Sequence, residues 1–331
     1  MSSSTPPCET LPDVFGHRGS ARAAGLAVGY LADLCFTDPQ RGHPVALFGR
    51  AAAALERRTY ADDRSAGAVH TTALLAALGA LGLLVERAAA RRGPLWTTVA
   101  TAAATYVVLG GTSLARTGGE LANLLDAQDI DGARALLPSL CGRDPAALDA
   151  DGLARAALES VAENTSDAQV APILWGALAG VPGLLVYRGA NTLDAMIGHK
   201  SPRYQQFGWA AARFDDLLNY PGARATGAIV VAVSGAPSGA WRAWRRDAAE
   251  HPSPNAGVAE ASFAGALGVR LGGPTQYAHR LEMRPALGDG PAPVAADLRR
   301  GGRLSRLVQA GATALAVSVA FRTGRPASAR C

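Results

Sequence analysis

The sequence predicts an all-α protein, a polytopic membrane helical bundle whose polar helices and loops form a site at the membrane boundary. Three observations predict it. Four apolar stretches are long enough to be membrane helices: 66–85, 94–115, 168–187 and, shorter, 305–321. The alternation of apolar and polar residues that marks strands is nearly absent, and no internal repeat is evident. Clusters of Asp, Glu, Asn and Arg lie directly beside the apolar runs, where ionisable groups are costly and usually functional.

Taken in order, residues 1–20 are polar, with Pro6, Pro7, Asp13, His17 and Arg18, and lack the apolar core of a signal peptide. They read as a disordered tail, ahead of one integral-membrane domain over 21–322 and a C-terminal tail over 323–331. Residues 23–36 are a weaker apolar segment that contains Asp33. The runs 66–85 and 94–115 are joined by the short link "ERAAARRG", so the pair reads as a helical hairpin. Between 116 and 167 apolar positions recur at helical spacing, with Pro138 as a stop. In 168–187 the centre "AGVPG", Ala179 to Gly183, favours a break or a re-entrant hairpin packed against protein. One or two helices are expected over 188–222, and 225–240 is weakened by Gly and Pro. Residues 251–274 begin as a Pro/Asn/Gly loop and continue as a small-residue helix. Counting positive charges does not orient the bundle, because Arg87, Arg91 and Arg92 at the hairpin tip face Arg50, Arg57, Arg58 and Arg64 on its other side.

Composition agrees with a membrane protein. The 331 residues are 49% hydrophobic and 18% charged, with net charge +5 supplied almost wholly by arginine; Lys200 is the only lysine. No Lys/Arg run is interleaved with aromatics, which argues against nucleic acid as a partner. Cys8, Cys35, Cys141 and Cys331 are scattered, with neither zinc-ligand spacing nor a disulfide framework, so reduced thiols are expected.

Five polar clusters could carry chemistry. The first, at 33–50, holds Asp33, Asp38, Arg41, His43 and Arg50. In the second, Glu159, Glu163 and Asp167 follow one another at i+4 and share a helix face, with Asn164 beside them. The third, 191–208, contains Asn191, Asp194, Lys200 and Arg203. The fourth puts Arg213, Asp216 and Asn219 on one helical face next to Asp215, and the fifth contains Asn255 and Glu260. Carboxylate and amide oxygens suit Mg²⁺, while Arg and Lys clamp phosphate. Several of each suggest phosphate chemistry under Mg²⁺ control. No GxxxxGK[ST] loop, kinase signature, strand-linked GxGxxG, Gly-x-Ser-x-Gly elbow or HExxH is present, so a nucleotide would need an unfamiliar site.

The strings "DPQRGHPVALFGR", "ESVAENTSD", "NTLDAMIGHKSPRYQQFGWAAARFDDLLNYPGAR" and "PNAGVAEASFAGALGVRLGG" resemble, in order and spacing, the CobD/CbiB family of cobalamin biosynthesis, the adenosylcobinamide-phosphate synthases. The likeness runs from about residue 25 to 320. It departs at His199, where Tyr is expected, and at Asn255–Glu260, "NAGVAE" where "NAGWPE" is expected; both departures spare the polar residues. The resemblance implies a multi-pass enzyme of the cell membrane with a cytoplasmic-facing site. It would join an aminopropanol phosphate, or a related amino alcohol, to a propionate carboxyl of (adenosyl)cobyric acid, using ATP and Mg²⁺. On this reading Glu163, Asn164, Asp167, Asp194 and Asp216 are catalytic, with Glu163, Asp167, Asp194 and Asp216 around Mg²⁺. Lys200, Arg203 and Arg213 hold phosphate, while Asn191, Asn219, Asn255 and His43 position substrates. One carboxylate near the nitrogen would accept the amine proton. The alternative is a regulatory membrane protein of the AmpE type; the joint presence of "NTLDAMIGHK" and "FDDLLNY" favours the synthase. A transporter would show paired halves of matching hydropathy, and none is seen.

Overall fold

The computed structural model describes residues 14–36, 42–277 and 280–323. Asp38 and Arg41, Cys8 and Cys331, and most of both expected tails lie outside the described residues. The first helix, α1 (Val14–Cys35), begins inside the stretch read as a tail. That reading weighed polarity and the early prolines. After Pro12 no proline interrupts an alanine-rich segment, and helix propensity decides.

Helix α2 (Pro44–Thr59) follows, with His43 as its N-cap. The expected hairpin is α3 (Arg64–Arg92) and α4 (Pro94–Val108). Asp63 starts α3 by accepting the Ala66 amide at 2.9 Å. Gly93, at φ 106°, makes the turn, and Pro94 takes the first helical position of α4, where its missing N–H costs nothing. α1 lies against α4 through small residues: a Cβ added at Gly25 or Gly29 would come within 2.5 Å of the Thr101 or Thr105 Cβ.

Next come α5 (Gly111–Asp126), α6 (Ile130–Leu136), α7 (Ala150–Thr165), α8 (Ala171–Leu193), α9 (Trp209–Val233), α10 (Pro237–Asp247), α11 (Ala256–Leu267) and α12 (Ala295–Thr323). Among the described residues, four helical stretches are long and apolar enough to cross a membrane: Arg64–Arg92, Pro94–Asp126, Ala150–Gly198 and Ala295–Thr323. Their outer faces expose Leu81 and Leu84 on α3, Leu95 and Trp96 on α4, and Leu307 and Leu315 on α12. Exposed apolar surface on this scale is what lipid covers.

The run 168–187 does not cross in one pass. Gly180 adopts φ 66° and ψ −148°, a backbone state that strains any residue with a Cβ, and Pro182 follows it. Arg22 and Glu86, paired at 2.7 Å, pack on the bend, with Arg22 also donating to the Ala177 carbonyl at 3.4 Å. The two halves of α8 therefore run side by side, and the Tyr187 hydroxyl comes 2.9 Å from the Asp167 carbonyl. Ala168 and Arg188 line the same cavity. The doubling-back expected at Ala179–Gly183 is what the backbone does.

One element differs from an all-helical expectation. Residues Leu271–Tyr277 (β1) and Arg280–Leu287 (β2) form an antiparallel hairpin, with Gly273 opposite Arg284 and a register shift between Leu271 and Gly273. Gly272 and Gly273 have φ of 80° and 86°, and a Cβ on Gly272 would strike the Pro285 carbonyl at 2.0 Å. The main core joins Leu121, Leu153, Leu158, Phe263, Leu298 and Val308 from α5, α7, α11 and α12. A second, smaller core of Tyr187, Leu193, Ile197, Phe207 and Ala211 lies beneath the polar cluster described next.

Candidate functional site

Several of the acidic residues singled out in the sequence meet where α8 begins and ends. Both ends loosen into a wide, π-helical turn: Ser166–Val170 before α8 and Asp194–Gly198 after it. Such turns insert a residue and re-aim side chains, and they recur at functional sites. Asp167 lies in the first and Asp194 in the second. Because α8 doubles back, the two turns are neighbours. Asp167 is within electrostatic reach of Glu163, Asp215 and Asp194, and Asp194 of Asp216 and Glu163.

Glu163 and Asp216 border cavities that share walls with a third. The largest, about 760 Å³, is lined by Lys200, Arg213, Asp216, Trp209, Ser253 and Arg284 among others. Gly142 and Arg284 also belong to a second cavity of about 270 Å³ that holds Arg143, Glu163 and Asn164. Leu140 and Asn164 in turn reach a third, of about 210 Å³, with Ser113, Thr117 and Arg188. The result is one groove with cations along its length and carboxylates set between them. Among the described residues, Lys200 and Arg213 form no ion pair, which leaves both available to an anion.

The acidic face of α7 splits into two environments. Glu159 is buried, ion-paired with Arg143, and its Oε1 accepts the Gly272 amide at 2.7 Å. It ties α7 to the β-hairpin. Glu163, one turn on, lines the second cavity. Asn164 is oriented by donating to the Ser160 carbonyl at 3.0 Å.

On α9, Asp215 is buried; desolvation, reinforced by the nearby Asp194 charge, pushes its carboxyl up to about 7, while Asn219 and Asn191 oppose the shift. Burial also raises Asp216, with Arg213 pulling the other way. Asn219 donates to Asp215 Oδ2 at 2.8 Å, and the Tyr187 hydroxyl lies between it and the Asp167 carbonyl. Asn255 donates to the Asp216 carbonyl at 2.8 Å and accepts from Arg224 at 2.7 Å. Both asparagines are nearly inaccessible, and their hydrogen bonds hold the acidic segment in place.

Two expectations shift. Arg203 donates to Glu56 Oε1 at 2.9 Å, stacks on Tyr60 with its guanidinium 4.0 Å from the ring centre, and does not line the groove. The Nδ1 of His43 accepts the Val45 amide at 3.3 Å, a helix-capping role. Nor do Glu163, Asp167, Asp194 and Asp216 form one metal cage: among the described residues no three His, Cys, Asp or Glu side chains converge that tightly. The donor set still fits Mg²⁺, which takes one or two carboxylates together with water and substrate phosphate. Asp216 beside Lys200 and Arg213 offers that combination.

Sequence reasoning missed Arg284, Arg143 and Arg188. Arg284 comes from the unforeseen hairpin and borders two of the cavities. Behind it sits Glu260, fully buried, 3.8 Å from Arg284 and 3.7 Å from His251, its carboxyl pushed well up by burial and then by Glu159 and Glu163. Arg143 and Arg188 carried no motif; in an arginine-rich chain only their fold neighbours mark them.

The chain is similar in sequence to known proteins over most of its length. The CobD/Cbib protein family matches residues 26–305. A "Cobalamin biosynthesis protein CobD" of Mycobacterium tuberculosis is 61% identical over 313 residues, 93% of this chain and 99% of the relative. One of Chromobacterium violaceum is 42% identical over 290 residues, covering 86% and 92%. One of Rhodobacter capsulatus is 52% identical over 194 residues, covering 58% and 62%. No solved structure matches. With a family match across most of its length and full-length relatives above 40% identity, the chain belongs to the CobD/Cbib family.

Proposed function

We propose that this protein acts in cobalamin biosynthesis as an acid–amine ligase, joining aminopropanol phosphate, or a related amino alcohol phosphate, to a propionate carboxyl of (adenosyl)cobyric acid at the expense of ATP. The observation that carries the reading is the groove: Lys200, Arg213 and Arg284 line it around Asp216, and it is continuous with Glu163 and Asn164. The relatives' names supply the pathway.

The chemistry asks for this arrangement. A carboxylate is a poor acyl donor, so its oxygen first takes the terminal phosphoryl group of ATP, releasing ADP. The amine then attacks the carbonyl carbon, phosphate leaves with the C–O bond electrons, and the nitrogen gives up a proton. Two phosphate-bearing substrates must be held while charge builds on a third, which several cations along one groove can do. Mg²⁺, when bound with substrate phosphate, would neutralise triphosphate charge, and Asp216 is the residue best placed to hold it. Lys200 and Arg213 would bind phosphate oxygens. Glu163, beside Arg143 and Arg284, would take the amine proton. Trp209 and the apolar walls give a corrinoid ring a surface to lie on. Supply of ATP puts the groove on the cytoplasmic side of the cell membrane.

The test is turnover by detergent-purified protein given adenosylcobyric acid, aminopropanol phosphate, ATP and Mg²⁺, read by mass spectrometry. Amide product that requires ATP supports the ligase. A folded preparation that makes none with any amino alcohol phosphate would remove it.

A further inference from the structure

We propose that the far end of the α3–α4 hairpin binds the headgroup of an anionic phospholipid. A cavity of about 350 Å³ opens there, lined by Arg22, Glu86, Arg87 and Arg91 with Leu83 and Thr97 in its walls. Three guanidiniums share it with one carboxylate, and that carboxylate is already held by Arg22 at 2.7 Å. Arg87 and Arg91 form no ion pair among the described residues and are exposed. Two uncompensated positive charges on a concave surface define an anion site, and paired phosphate oxygens match guanidinium geometry.

Its position selects the kind of anion. Gly67, near the start of α3, packs directly on the Phe207 backbone, on the side of the groove. From Gly67 to Arg87 the helix advances about 30 Å, the thickness of a bilayer's hydrocarbon core. The arginine cavity therefore sits at the opposite boundary from the groove, at the depth of headgroup phosphates. Leu84, Leu95 and Trp96 stand beside it, 64%, 71% and 53% exposed, ready to meet acyl chains, with Trp at its usual interfacial depth. A water-soluble phosphate would gain nothing from these three residues; a lipid gains from both parts. The site also has a structural consequence: Arg22 and Glu86 brace the bend of α8 at Gly180, so a bound headgroup stabilises the element whose two ends carry Asp167 and Asp194. None of this depends on the ligase reading.

The experiment is native mass spectrometry of the full chain in detergent, titrated with phosphatidylglycerol, phosphatidylcholine or glycerol 1-phosphate. Wild type is expected to retain one phosphatidylglycerol in preference to phosphatidylcholine, and glycerol 1-phosphate should compete weakly. The Arg87→Gln/Arg91→Gln double variant should lose about thirtyfold in that preference, as two surface cations predict, while Arg87→Lys/Arg91→Lys should recover most of it. Because both side chains are exposed and form no ion pair among the described residues, the variants should melt like wild type in detergent without added lipid. Equal retention of the two lipids, unchanged retention by the double Gln variant, or displacement by glycerol 1-phosphate as effective as by the lipid would each overturn the proposal.

Discussion

Glu159 and Glu163 are one turn apart on α7, yet they do different work. Glu159 is enclosed by the Arg143 guanidinium and the Gly272 amide, every part of it answered by protein. Glu163 opens onto a cavity and shares its surroundings with Arg143, Arg284 and other carboxylates. A charge satisfied by its own chain is a strut. A charge placed beside space, among like charges, is held ready for something that arrives from outside. The same contrast separates Arg203, committed to Glu56 and Tyr60, from Lys200 and Arg213, which line the groove and form no ion pair among the described residues.

That contrast can be broken or sharpened experimentally. The all-or-none test is topology: in a cysteine-free background, Ser139→Cys and Gln205→Cys should react with a membrane-impermeant thiol reagent from the same side. Labelling from opposite sides would mean that α8 crosses the bilayer and that the groove does not exist. Among substitutions, the largest effect is expected on turnover: Glu163→Gln should slow amide formation about 10²–10⁴-fold, the usual weight of a positioned proton acceptor, with folding kept. Glu159→Ala should leave turnover chemistry aside and cost about 3–5 kcal/mol of stability, because it strands the buried Arg143 charge; equilibrium unfolding in detergent would measure it. Gly180→Ala forces a residue with a Cβ into a positive-φ conformation that is essentially reserved for glycine, at about 1–3 kcal/mol, and presses on the Arg22–Glu86 pair, so a lower melting temperature is expected.

A smaller effect is expected in pH dependence. Burial holds Asp215 up near 7, above its unfolded value of 3.8. Its proton is therefore bound more tightly in the folded state, and the stability this gives is fully present below about pH 4 and lost as pH rises through about 7. Melting temperature should fall over that window, and Asp215→Asn should flatten the fall; an identical profile in the variant would contradict the assignment. The smallest change belongs to Arg203→Ala, which should leave turnover at the wild-type value and shift melting only slightly. A large loss of turnover would return Arg203 to the site.

Much of this molecule was legible in the sequence. Uncharged runs of twenty residues cannot be mistaken for ordinary surface helices, and "AGVPG" in the middle of one announced its break. Asp167, Asp194 and Asp216 stood out because carboxylates beside apolar runs are costly. Spacing could not show which of them are already answered. Periodicity placed Glu159 and Glu163 on one face, but the groups facing them, Arg143, Gly272 and Arg284, come from a loop and a hairpin far away in the chain. The hairpin escaped because its strands carry glycines, prolines and arginines rather than a clean alternation. The π-helical turns have no sequence signature at all, and they bring Asp167 and Asp194 together only because α8 doubles back.

The most direct test of the account compares Glu159→Gln with Glu163→Gln in one preparation, following amide formation and melting together. The account predicts that Glu163→Gln melts near wild type and loses nearly all turnover, while Glu159→Gln melts well below it and retains turnover in the fraction that stays folded. The reverse pattern, or equal loss of turnover in both with melting unchanged, would contradict the division between strut and site.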